Sequence, residues 1–268
     1  MSGLWSEEAG AADAPLVALI HGTMDRSTGM VKLSRRLDDR FRVLRYDRRG
    51  YGRSVPREGG SAGPFDMATQ VDDLVGLLDG RRVLLIGHSY GGNVALATAS
   101  RHPALVVGVA VYEAPLSWEE WWPGSTAGSQ ARAMAGQPAE AAERFMRRMI
   151  GDAAWHALPE RTRSTRRAEG PALVGELGDL QDNPPWRAEA IRCPVTLSYG
   201  SRGAAHHREG MEFVHAGLPG SELIVLDGCR HDAPLRHAAL FASAILESLA
   251  RSVGDPWALA VTRSAVAP

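Results

Sequence analysis

Arg81-Arg82-Val83-Leu84-Leu85-Ile86-Gly87-His88-Ser89-Tyr90-Gly91-Gly92 decides how the rest of the chain is read. The apolar run at 83–86 has the length of a buried strand, and residues 93–101 suit a helix. Between them stands a serine bracketed by glycines, Gly-x-Ser-x-Gly. Strand, sharp turn and helix together make a nucleophile elbow. Its turn is too tight for side chains on the serine's neighbours, so Gly87 and Gly91 leave strand and helix room to close. Ser89 is expected at the carboxyl end of the strand, its hydroxyl exposed beside the helix N-terminus. The plainer reading of the same residues is a tight turn whose serine only caps the helix.

Outward from the elbow, residues 16–20 (LVALI) are a second buried strand, ending at the turn His21-Gly22-Thr23. A helix is expected over 28–38 and a strand over 41–46. A Gly-rich loop occupies 58–63, and helical periodicity covers 66–78. After the elbow helix, a β-branched run at 105–112 ends at Glu113. Buried strands alternating with helices specify an α/β fold, a mostly parallel central sheet with helices on both faces. The alternation stops at 115–192, a Trp-rich stretch with helices expected at 139–150 and about 158–169. It resumes with strands at 194–199 and 222–226 and helices near 208–217 and 238–250. The expected organisation is a core of residues 1–114 and 193–268 with 115–192 inserted as a helical lid. A separate second domain fits less well, because both ends of the insertion return to one pattern. Residues 1–14 read as a loose lead-in too short for an extra hairpin, and 255–268 as a tail without an obvious partner.

Composition narrows the function. At 268 residues, 44% hydrophobic and with a formal net charge of −1, the chain fits neither a disordered protein nor a nucleic-acid binder. Cys193 and Cys229 offer no disulfide framework and no metal-ligand spacing. The first residues lack an apolar signal core and no run reaches membrane-spanning length, so a soluble cytoplasmic protein without a membrane partner is expected. No cofactor is expected either, since the elbow glycines lack the lysine of a phosphate-binding loop. The His206-His207 pair reads as surface loop rather than metal site, with no acidic or cysteine set beside it in sequence.

Four segments taken together resemble the α/β-hydrolase family across nearly the whole chain. They are His21-Gly22, Asp47-Arg48-Arg49-Gly50-Tyr51-Gly52-Arg53-Ser54, the elbow from Gly87 to Gly92, and Gly228-Cys229-Arg230-His231. The family runs serine, acid, histidine in chain order. The resemblance implies that His231 takes the Ser89 proton and returns it to the leaving group. It implies structural roles for His21 and His88. His102, His156, His206, His207, His215 and His237 are less well placed.

The acid departs from the family pattern. The usual aspartate belongs to a Gly-x-x-Asp turn after the strand at 194–199, and here that turn is Gly200-Ser201-Arg202-Gly203. Glu113, one strand earlier, is similar to the glutamate of some haloalkane dehalogenases, which a Pro- and Trp-containing segment also follows. A triad acid holds one imidazole tautomer, so its place in the chain is free if the geometry closes. Glu113 is therefore the expected acid, with Glu209, Asp232 or an acid-free Ser-His pair as alternatives. The dehalogenase likeness ends at the nucleophile, because dehalogenases and epoxide hydrolases attack with an aspartate at the elbow. A serine there points to acyl transfer through a covalent ester.

The oxyanion donors expected are the backbone N–H groups of Thr23 and Tyr90. Met24, Trp118, Trp122 and Trp155 are candidates for the wall of an apolar acyl pocket, with packing of lid helices as the alternative. Arg161, Arg163, Arg166 and Arg167 read as a solvated helix face, or less simply as a site for an anionic group. The expected substrate is a small or medium-sized carboxylic ester or thioester. Carbon–carbon bond hydrolysis, perhydrolysis and a catalytically silent small-molecule binder remain alternatives on the same scaffold.

Overall fold

The structure, a computed structural model, describes residues 3–55 and 63–253. Seven strands form one sheet in the order β1-β3-β2-β4-β5-β6-β7. They are β1 (Ser6–Ala9), β2 (Leu16–Ile20), β3 (Arg42–Tyr46), β4 (Val83–His88), β5 (Val106–Tyr112), β6 (Val195–Gly200) and β7 (Glu222–Leu226). Every neighbouring pair is parallel except β1 with β3. β2, β4 and β6 are buried along their whole length, which is why they read as unbroken rather than alternating apolar runs.

Helices cover both faces. On one lie α2 (Met67–Leu78), α3 (Tyr90–Arg101) and α9 (Ala205–Gly217), packed through Leu74, Val94 and Met211. On the other lie α1 (Val31–Ser34), α10 (Ala233–Arg236) and α11 (Ala238–Val253), packed through Leu33, Ala233 and Phe241. Between β5 and β6 the chain inserts α4 (Ala127–Arg132), α5 (Pro138–Ile150), α6 (Asp152–Ala157), α7 (Glu160–Ala168) and α8 (Gly170–Asp182). These helices share a core of their own around Phe145, Trp155 and Leu173, which also takes in Met24 and Tyr51.

Two buried carboxylates fasten the insert to the core. Glu176 on α8 pairs with the fully buried Arg48 at 2.7 Å and accepts hydrogen bonds from Tyr51 Oη at 2.8 Å and Thr23 Oγ1 at 2.7 Å. Glu169 pairs with Arg26 at 2.6 Å and accepts the Gly52 N–H at 2.9 Å. Among the described residues no helix is long and apolar enough to cross a membrane.

Two local expectations need correction. The lead-in is not loose throughout, because Ser6–Ala9 adds an antiparallel edge strand with Ser6 opposite Tyr46. Its sequence, SEEA, carries no apolar signal. The strand is fixed by charge, Glu7 with Arg45 and Glu8 with Arg42 and Arg81, as suits an exposed sheet edge. The helix expected over 28–38 shrinks to a 3-10 turn, Ser27–Met30, and the single turn of α1. Gly29 lies in that first turn and Arg26 supplies no side-chain cap, so helix initiation is weak. Most of the 58–63 loop and the whole 255–268 tail lie outside the described residues.

Candidate active site

At the end of β4 the chain turns so sharply that Ser89 takes φ 54° and ψ −126°, and its N–H donates to the Tyr112 carbonyl at 2.8 Å. A Cβ on Gly87 would strike the Gly91 backbone, and one on Gly91 the Ile20 carbonyl. Both glycines are thus required by close backbone approach. Gly22 comes so near from β2 that its Cβ would stand 3.0 Å from the Ser89 Cβ. This brings the loop after β2 beside the serine, with the N-terminus of α3 on the other side.

One strand over, Glu113 follows β5 at φ 49° and is fully buried. A left-handed backbone at a non-glycine residue costs energy and marks a position the surroundings enforce. Here the turn aims the carboxylate across the sheet edge. Oε1 accepts the Gly200 N–H at 2.9 Å, and Oε2 accepts His231 Nδ1 at 2.6 Å. That bond puts the imidazole proton on Nδ1 and leaves Nε2 as the acceptor. Ser89 and His231 line the same cavity.

The turn that lacks the family aspartate completes the arrangement. A Cβ at Gly203 would lie 2.9 Å from Glu113 Oε1, so the bare backbone there leaves room for the carboxylate. Glu209 and Asp232 are not part of this group. Glu209 lies beside Arg208 on α9, and Asp232 pairs with Arg236.

Three further histidines surround His231. His88 donates from Nε2 to the His231 carbonyl at 2.8 Å, fixing the backbone that carries the imidazole. Burial, reinforced by the nearby His231, pushes the His88 pKa down to about 3, so it stays neutral. His207 stacks on His231 with ring centroids 4.4 Å apart and planes within 9°. Its Nε2 lies 4.0 Å from Glu113 Oε2, and burial and then His231 hold its pKa well below the usual histidine range. His206 packs against His207 in turn, at 4.3 Å.

The His206-His207 pair is therefore not surface loop but the first turn of α9, with His207 turned inward onto His231. Glu113, His207 and His231 offer one ligand atom each within 4.8 Å of one another, a spread that a divalent cation could draw together. Against that, the 2.6 Å bond is shorter than the separation of two ligands on one zinc, so an ion must first break it. His21 is buried and structural. Its Nδ1 donates to the Gly22 carbonyl and its Nε2 accepts the Arg48 N–H at 2.9 Å, which fixes the turn before Thr23.

The cavity has a volume of about 100 Å³. Thr23 and Trp122 line it, together with Pro115, Phe145, Met149 and Leu177 from β5's end and the insert. Three expected wall residues lie elsewhere. Met24 faces the insert core and gives its carbonyl to Arg166 at 2.9 Å. Trp118 packs edge-on against Trp186, with centroids 5.9 Å apart. Trp155 is fully buried among the insert helices and donates to Glu143 at 3.2 Å. Met24 and Trp155 go into the insert core, and Trp118 onto the core beneath the sheet's helices. The basic run on α7 is largely neutralised, Arg163 by Glu160, Arg166 by Glu169, and Arg167 by Glu143 and Glu160. Arg132 and Ser117, singled out by no motif, do line the cavity. Nothing in the pattern of a six-residue helix such as α4 marks which side chain faces a site.

Fold and sequence agree on the class. Residues 17–244 match the model of the alpha/beta hydrolase family, and the chain belongs to that family. It is 29% identical to an uncharacterised protein of Mycobacterium tuberculosis (strain H37Rv), over 82% of this chain and 71% of that protein. It is 27% identical to a pimeloyl-[acyl-carrier protein] methyl ester esterase of Neisseria meningitidis, over 85% of this chain and 90% of the esterase. A thermophilic esterase from Thermogutta terrifontis has the same fold, with a TM-score of 0.72 at 23% identity and 93% of each chain covered.

Proposed function

We propose that the protein is a serine hydrolase that cleaves small or medium-sized carboxylic esters or thioesters through an acyl-enzyme on Ser89. The observation that carries this reading is the 2.6 Å bond from His231 Nδ1 to Glu113, on an imidazole that shares its cavity with Ser89. His231 Nε2 accepts the Ser89 proton as Oγ attacks the substrate carbonyl carbon. The carbonyl electrons move onto oxygen, and the N–H groups of Thr23 and Tyr90 hold that oxyanion. Each such donor contributes about 3 kcal/mol to the transition state. Collapse breaks the carbon–oxygen or carbon–sulfur bond, and the leaving group takes the proton from His231. Water then repeats the cycle on the acyl-enzyme, releasing the acid and freeing Ser89.

Glu113 never needs to accept the proton. It keeps the imidazole in the productive tautomer and stabilises the imidazolium. The carboxylate of Glu113 on His231 supports the enzyme over the catalytically silent binder. The helical insert acts as the lid, with Trp122 at the pocket wall. A cavity of about 100 Å³ favours short acyl groups.

The test is hydrolysis of ester and thioester series of graded acyl length. Turnover of the short members, lost in Ser89→Ala, is expected. A folded protein that turns over none of them contradicts the proposal.

A further inference from the structure

Arg132 ends α4 and lines the cavity that holds Ser89 and His231. It is the one arginine or lysine in that lining, and no aspartate or glutamate stands there to balance it. Among the described residues, no carboxylate comes within ion-pair distance of its guanidinium, and its Nε is buried without a hydrogen-bond partner. Its neighbours in the insert differ in ion pairing, although Arg163 Nε is likewise buried without a partner. Arg147, Arg163, Arg166 and Arg167 are all paired with carboxylates, while Arg144 and Arg161 are exposed to water. Ser117 Oγ, on the same lining, is also buried and without a partner.

A half-buried cation without a counter-charge, its Nε enclosed and unpartnered, is unfavourable, as is an enclosed hydroxyl without a partner. Two such groups on the wall of one catalytic cavity are accounted for together if the ligand brings what they lack. Both can donate, and the guanidinium fork matches an oxyanion held by two parallel hydrogen bonds. The lining adds further hydroxyl and amide groups from Thr126, Ser129 and Gln181.

We infer that the substrate is an ester or thioester carrying an anionic group, a carboxylate on a short acyl chain, which Arg132 and Ser117 bind while Ser89 attacks the ester carbonyl. The half-ester of a short dicarboxylic acid is the simplest member of this class. The inference rests on the serine-hydrolase reading for the attack, but the anion subsite is measurable without turnover.

Two measurements test it. The first compares kcat/KM for the p-nitrophenyl half-ester of succinate with that for p-nitrophenyl butyrate, the neutral ester of equal chain length. The wild-type protein is expected to prefer the half-ester, and Arg132→Gln to lower the ratio by about 100-fold, the loss of one charge-assisted contact. Arg132→Lys, which keeps the charge without the fork, should recover part of it. Equal or better use of butyrate, or a ratio unchanged in Arg132→Gln, overturns the inference.

The second is calorimetric binding of succinate and of inorganic phosphate to Ser89→Ala. Succinate is expected to bind, and to stop binding when Arg132→Gln is added. Tighter binding of phosphate overturns the carboxylate assignment. Succinate binding that depends on Arg132 in a protein that hydrolyses no ester supports the subsite and sinks the hydrolase reading alone.

Discussion

At the carboxyl edge of the sheet, Ser89 and Glu113 both sit at positive φ, and Gly87, Gly91, Gly200 and Gly203 press backbone against backbone or carboxylate. In the insert, position is set by side chains instead. Glu176 and Glu169 hold the helices down through Arg48, Arg26 and Tyr51, and an aromatic core packs between them. The edge is rigid because few residue types fit each turn. The insert is held by a few ionic contacts that its own helices do not require. On the proposed function, the chemistry is built where the backbone permits least, and the selectivity where it permits most.

Substitutions at the edge should therefore destroy activity and spare stability, and those at the ionic anchors of the insert the reverse. The largest expected effect is Ser89→Ala, a fall in kcat of roughly 10⁶-fold, as for other triad serines, with an unchanged melting temperature. Glu113→Gln should follow at about 10⁴-fold, read from kcat with circular dichroism as the folding control. Glu209→Gln should change kcat less than about twofold, since a surface substitution away from the site moves little. The contrast can be sharpened by moving the acid. A side chain at Gly203 would point at the space that the Glu113 carboxylate fills. The double variant Glu113→Ala/Gly203→Asp should thus recover at least tenfold of the activity lost in Glu113→Ala. No recovery would mean that the turn after β6 cannot present a carboxylate to His231.

In the insert, Glu176→Gln strands the fully buried Arg48. Chemical denaturation should show a loss of about 3–5 kcal/mol, the usual result of removing one partner from a buried pair. Activity should fall by a smaller factor than in Glu113→Gln, through the lost bond to Thr23 Oγ1. If activity falls as far as in Glu113→Gln, the division between edge and insert fails.

A further effect concerns pH. His88 has a pKa of about 3 in the fold against 6.5 ordinarily. The unfolded chain therefore binds the extra proton first as pH falls. The stability from neutral His88 is complete above pH 6.5 and is lost progressively between pH 6.5 and 3. His88→Gln should flatten the pH dependence of unfolding free energy in that window. An unchanged slope would show that His88 is not held neutral.

The same contrast explains what the sequence disclosed. The elbow glycines are legible because crowded backbone restricts residue type, and Glu113 because its place after a strand resembles that of the acid in some haloalkane dehalogenases. The places of β2, β4 and β5 along the chain are legible from their apolar runs, whereas their order in the sheet is set by crossovers that no local pattern encodes. The edge strand Ser6–Ala9 was invisible because charge rather than burial holds it. Trp118 and Trp155 lie away from the pocket because a tryptophan in a turn or a helix reads the same whether it faces a pocket or the protein core. His207 and Arg132 reach the site only through the way α9 and α4 pack, and no local pattern encodes that.

The central claim, a serine activated by an imidazole that Glu113 holds, is tested most directly by the rate of fluorophosphonate labelling. Wild-type protein and Glu209→Gln should label stoichiometrically at Ser89, found by peptide mapping. Glu113→Gln should label at least 100-fold more slowly and Ser89→Ala not at all. Folded wild-type protein that stays unlabelled, or Glu113→Gln labelling as fast as wild type, would contradict the claim.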